Sequence, residues 1–182
     1  AAAPVIAATR LRRGARNSAA GGVRMLRDTI ATARRCGATG PILVRSDSAY
    51  CTTAIVAAIS KAGARFSVGI ALNAAVRRAI AAIAETAWTR IDYPQAIVDP
   101  ETGELVSAAE VAEIGHTAFI SKPKAQQVTA RLIVRRIPEL NKAKLAGQDP
   151  LFPLYRYHAI FTDNPAPLIA AEAQHRGHAV VE

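Results

Sequence analysis

Apolar residues recur along the chain at two different spacings, and the switches between them mark its elements. Residues 4–11, PVIAATRL, read as a strand, and the small residues from Gly14 to Gly22 form a loop before VRMLRDTIATARR. In that segment Val23, Leu26 and Ile30 fall at helical spacing, and Gly37 and Gly40 stop the helix. PILVRSDS, residues 41–48, is a short β-branched run with a polar end, leading into a second amphipathic helix with Ala54, Ile55, Ala58 and Ile59. Gly63 closes it, RFSVGIAL predicts another strand, and AAVRRAIAAIAETAW predicts a third helix with Val76, Ile80 and Ile83 on one face. The order β, α, β, α, β, α predicts an α/β protein.

From about Trp88 the pattern changes to short strand-like pieces with turn signals at Tyr93-Pro94, Asp99-Pro100 and the hairpin-like Glu101-Thr102-Gly103-Glu104, which predicts a β-rich inserted segment. VTARLIVRRI, residues 128–137, alternates Val128, Ala130, Leu132 and Val134 with Thr129, Arg131 and Arg135, broken only by Ile133. The polar loop NKAKLAGQDP follows, then a strand YRYHAIFTDN, and Pro165 and Pro167 open a last helix.

The composition is that of a folded protein, with 51% apolar and 20% charged residues. No apolar run approaches the roughly 18 residues of a membrane span, and no signal-peptide pattern is present, so a cytoplasmic protein is expected. Cys36 and Cys51 show no metal-type spacing and fit free thiols in a reducing compartment. Lys and Arg outnumber Asp and Glu by 23 to 14, giving net +9, so a polyanionic partner is the first expectation. Nine arginines between Arg10 and Arg45 face only Asp28, which suits phosphate as well as it suits a solvated face.

Two acids stand where an α/β protein builds a site. Asp47 lies at the carboxyl end of a strand, where open sheets place their ligand crevice. The local alternative is that Asp47, with Ser46 and Ser48, caps the next helix. On the last helix Leu168, Ala171, His175, His178 and Glu182 fall within a stripe of roughly 100°. That stripe either delivers His178 and Glu182 to one rim or is an ordinary amphipathic face.

RSDSAY at 45–50, YRYHAIFTDN at 155–164 and HRGHAVVE at 175–182 together resemble the catalytic domain of DDE transposases of bacterial insertion sequences. The resemblance implies a ribonuclease H-like mixed sheet flanked by helices, with core residues 1–87 and 153–182 and a β-rich insertion at about 88–152 before the last helix. It matches Asp47 to the second catalytic Asp and Glu182 to the Glu, both as ligands of Mg²⁺ or Mn²⁺, two ions in the complete site. Carboxylates are the hard oxygen donors such ions take, and a pair of ions can clamp the attacking and leaving oxygens of an in-line displacement. PVIAATRL holds no acid, so the resemblance puts the first Asp upstream of Ala1. The chain then reads as a fragment cut at both ends and inactive alone. Where many relatives carry Tyr and Arg, this chain has His175 and His178. DNA, as element ends and target, is the expected partner of a homo-oligomer. Arg45, Lys122, Lys124, Arg135, Arg136 and Arg176 are candidate phosphate contacts, and Trp88 and Tyr93 candidate stacking residues or core. Two rivals share these residues: a ribonuclease H-like nuclease without strand transfer, and a catalytically inactive basic DNA-binding remnant.

Overall fold

The computed structural model describes residues 5–11, 14, 17, 19–91, 98, 108–139 and 154–177. Among them the elements run α1 (Gly22–Arg35), β1 (Leu43–Ser46), α2 (Thr53–Lys61), β2 (Arg65–Gly69), α3 (Ala74–Ala81), β3 (Thr89–Ile91), β4 (Ala109–Ala118), β5 (Val128–Pro138), β6 (Tyr155–Thr162) and α4 (Leu168–Arg176). Single 3-10 turns lie at Ser48–Tyr50, Glu85–Ala87 and Lys124–Gln126. The strands form one sheet in the order β1-β2-β6-β5-β4-β3. It is mixed: β1 and β2 are parallel, with Leu43 beside Arg65 and Ser46 beside Val68, whereas β3 is antiparallel to β4. Parallel neighbours need a crossover, and α2 supplies it. This mixed α/β sheet with four helices is the architecture expected of a ribonuclease H-like DDE domain.

Two expectations are corrected. Residues 5–11 form no strand, and Val5, Ile6 and Leu11 are 85%, 85% and 101% exposed. An apolar run becomes a strand only where a neighbour satisfies its backbone groups, and sequence alone names no neighbour. The third helix stops at Ala81, and Glu85–Ala87 form a separate 3-10 turn. The hairpin-like stretch 101–104, the polar stretch NKAKLAGQDP, Tyr93, His178 and Glu182 lie outside the described residues. No helix among the described residues is long and apolar enough to cross a membrane.

The chain forms two compact units. The first comprises Ala1–Ile70, Thr117–Ala130 and Phe161–Asn164. Its core gathers Ile30, Ile55, Val56, Ile59, Phe66, Val68 and Phe161, onto which Val23 and Leu26 of α1 pack. The helical spacing of Val23, Leu26 and Ile30 thus becomes the buried face of α1. Arg34 in its last turn donates to the carbonyls of Ala38 and Gly40 at 2.6 and 2.8 Å, supplying donors where the helix ends. Thr52 caps α2, its hydroxyl accepting from the Ile55 N–H at 3.3 Å.

The second unit comprises Ala71–His116, Arg131–Ile160 and Pro165–Glu182. Leu132, Ile133 and Val134 of β5 are all fully buried, because β5 is an inner strand covered on both faces. Ile133, which breaks the alternation in the sequence, packs with Ile160 and with Ala171 of α4. Asn73 starts α3, its side-chain oxygen accepting from the Ala75 and Val76 N–H groups at 3.0 Å each.

Candidate active site

β1 ends at Ser46, and Asp47 follows in extended conformation with φ −73° and ψ 179°. Its Oδ1 accepts from the Ala49 N–H at 2.8 Å, which opens the 3-10 turn Ser48–Tyr50. Helix α2 is capped by Thr52 instead, so Asp47 caps the turn and not the helix. The Asp47 side chain is exposed, and its second oxygen accepts no hydrogen bond from any described residue. A carboxylate held through one oxygen and open through the other has the form of a metal donor.

Gly69, at the end of β2, keeps this loop in place. A Cβ there would stand 3.0 Å from the Ser48 nitrogen and 3.3 Å from the Asp47 carbonyl carbon, so a side chain at this position would push the loop back by a few tenths of an ångström. The Ser46 Oγ beside Asp47 is buried without a hydrogen-bond partner among the described residues. Cys51, just past the turn, has its thiol pushed up to about 11 by burial, so it stays protonated and offers no thiolate to an ion.

Asp163 is an acid that sequence reasoning left aside, and its position explains why it serves structure. It sits at the start of β2, away from the strand ends that carry Asp47 and Gly69. Its Oδ1 accepts from the Phe66 N–H at 2.7 Å and its Oδ2 faces Arg65 at 3.6 Å. The neighbouring Thr162 hydroxyl donates to the Phe66 carbonyl at 2.6 Å. These bonds fasten the end of β6 to β2.

Of the other nominated residues, Glu182 and His178 lie outside the described residues, and His175 is buried on α4. Arg45, Lys122 and Lys124 are exposed. Arg135 is engaged by the fully buried Glu172, and Arg176 bonds the same carboxylate at 3.2 Å. Arg136 is buried, bonded to Glu85 at 2.5 Å and Glu110 at 2.7 Å, and its guanidinium lies 4.2 Å from the Trp88 ring centre and 4.4 Å from that of Tyr155. Burial opposes its charge, but the bonds to Glu85 and Glu110 outweigh that, and its pKa rises above the ordinary arginine value. Trp88 also contributes to the wall of a cavity of about 270 Å³ with Ile80, Arg77 and Tyr157. Glu172, Glu85 and Glu110 were not foreseen, because their bonds to Arg135 and Arg136 span 26 to 51 residues, and only the Arg176 contact of Glu172 is local.

Among the described residues, no group of three His, Cys, Asp or Glu stands close enough to hold a metal ion, so Asp47 offers one donor of a set that the described residues do not complete. Charge is divided unequally between the units. The first holds 13 Lys and Arg against 3 Asp, and the second 10 against 11 Asp and Glu. The positive excess of the chain therefore belongs to the unit that carries Asp47.

No curated protein matches the sequence. A family model described as "Transposase DDE domain group 1" matches residues 3–142, a stretch that contains Asp47 and ends before Glu182. With more than half of its length matched, and with an exposed strand-end carboxylate in a mixed α/β fold, the chain belongs to the family of transposase DDE domains, group 1.

Proposed function

We propose that the chain contributes Asp47 and Glu182 to metal-dependent phosphoryl transfer in DNA transposition, which cleaves DNA at element ends and joins the ends to target DNA. The observation that carries this reading is the exposed Asp47 carboxylate at the end of β1, fixed through one oxygen by the Ala49 N–H and open through the other. Bound Mg²⁺ or Mn²⁺ would neutralise charge on the attacking and leaving oxygens. Asp47 is one ligand in this reading, and Glu182 is the second carboxylate that the chain contributes.

In the first reaction a water oxygen attacks phosphorus and the 3′ oxygen leaves as a hydroxyl. In the second that hydroxyl attacks a target phosphodiester, and the displaced target oxygen takes its proton. Arg45, Lys122 and Lys124 are exposed and Arg176 is partly exposed, and in this reading they meet phosphates. Arg135 and Arg136 spend their charge on Glu172, Glu85 and Glu110, and in this reading they support the fold. The partners are element ends and target DNA, bound by a homo-oligomer, and the β-rich stretch from about 88 to 152 is the insertion of the catalytic domain.

The experiment compares the full-length protein that contains this chain with its Asp47→Asn variant in Mg²⁺, on duplexes carrying the ends of the encoding element together with a target plasmid. Asparagine keeps the bond from Ala49 and removes the anionic donor, so cleavage and joining should fall on the order of a hundredfold or more. Unchanged joining by Asp47→Asn would overturn the reading. Cleavage without joined products would favour a ribonuclease H-like nuclease.

A further inference from the structure

The connection between β4 and β5, residues 119–127, is held by several bonds of its own. Phe119 has φ 62°, the one non-glycine residue with positive φ among the described residues, and for a bulky side chain that conformation is a true outlier. It persists because the Phe119 ring is fixed edge-on against Phe161 of the first unit's core, 6.5 Å between centres at 89°. The Lys122 N–H donates to the Phe119 carbonyl at 2.9 Å. Gln127 folds its amide back over the turn, donating to the carbonyls of Ile120 at 3.3 Å and Lys122 at 2.9 Å. Beneath it the Thr117 and Thr129 hydroxyls bond across the strands at 2.9 Å.

This tip presents one large apolar and two cationic side chains to solvent. Ile120 is 58% exposed, with Lys122 and Lys124 exposed after it. Ser121 and Pro123 are ordinary turn residues, whereas Ile120 is not. A single exposed apolar residue is common and by itself means nothing. Here it stands on a strained, clamped backbone, beside two cations, in the unit that holds 13 basic residues against 3 acids. Apolar side chains flanked by cations are what duplex DNA receives in its minor groove, with the cations on the bordering phosphates.

We infer that the β4–β5 tip is a preformed duplex-DNA contact, in which Ile120 enters the minor groove and Lys122 and Lys124 hold the adjacent backbone. It rests on the reading of the chain as a DNA-acting protein, but not on Asp47.

The test uses the full chain and a fluorescein-labelled mixed-sequence duplex of about 30 base pairs, with affinity followed by anisotropy across a salt series. Replacing both lysines, Lys122→Ala with Lys124→Ala, should reduce the slope of log affinity against log salt by about 2. Ile120→Ala should weaken binding about fivefold at fixed salt and leave the slope unchanged, and Ile120→Leu should restore it. All three sites are exposed, and circular dichroism checks that the variants fold. Unchanged affinity and slope in these variants, with wild-type binding intact, would overturn the inference together with the phosphate contacts of Lys122 and Lys124, and leave the role of Asp47 standing. A change of oligomeric state in Ile120→Ala with DNA affinity unchanged would assign the tip to a protein interface, which also overturns it. If the wild-type chain binds no duplex, the DNA-acting reading and this inference fall together.

Discussion

Glu172 of α4, with no solvent exposure, is bonded to Arg135 of β5, and Arg176 one turn further along α4 closes on the same carboxylate at 3.2 Å. A carboxylate taken out of water costs several kcal/mol unless cations meet it, so two guanidinium groups on one acid are what allow α4 to lie here. The pair also sets the rotation of α4 on the strand that supplies Ile133 to the same layer.

Removing one partner should be far more damaging than removing both. Glu172→Ala is expected to cost about 3–5 kcal/mol, because it strands the largely buried charge of Arg135. Glu172→Leu combined with Arg135→Leu should lose much less. Urea midpoints at constant slope measure both, and equal losses for the single and double variants would contradict this account.

Gly69→Ala tests the close approach at the Asp47 loop. The added Cβ meets backbone rather than a flexible side-chain end, at 3.0 Å from the Ser48 nitrogen, so strand ends must part to admit it. The expected loss is about 1–3 kcal/mol of stability, together with impaired DNA cleavage. Full stability with full activity would show that the loop yields more easily than this geometry indicates.

Acid should loosen the tie between Glu85 and Arg136. The hydrogen bond from Arg136 holds the Glu85 carboxyl below its ordinary value near 4.5, with a smaller opposing effect of burial. A depressed folded-state value means that the contribution is fully present above the unfolded value and lost as pH falls through the folded one. Glu85→Gln should therefore flatten the pH dependence of thermal stability below about pH 4.5 and leave its shape near neutrality unchanged. Identical acid limbs for the two proteins would remove the pair from the balance.

The parts of the fold that were legible in the sequence are those decided within one turn or one strand. β1, the polar end at Asp47 and the apolar face of α2 could be read because spacing and local polarity suffice. PVIAATRL could not be judged the same way, since an apolar run records what a segment can do and not whether a sheet edge waits for it. The bonds between Asp163 and Phe66, 97 residues apart, and between Arg135 and Glu172, 37 apart, leave no local trace. For the same reason Arg135 and Arg136 were indistinguishable by sequence from exposed cations such as Lys122. Asp47 was nominated by its place at a strand end, and the resemblance carried by RSDSAY named the chemistry that the spacing left open.

Trp88 is the single tryptophan of the chain, and it sits in the second unit against Arg136 and Tyr157. The molecule thus carries its indole reporter in one of its two units and none in the other. Indole emission will register the loss of the Arg136 cluster while the first unit melts unseen, so emission and backbone circular dichroism, followed on one sample, can separate two unfolding events that either signal alone would merge.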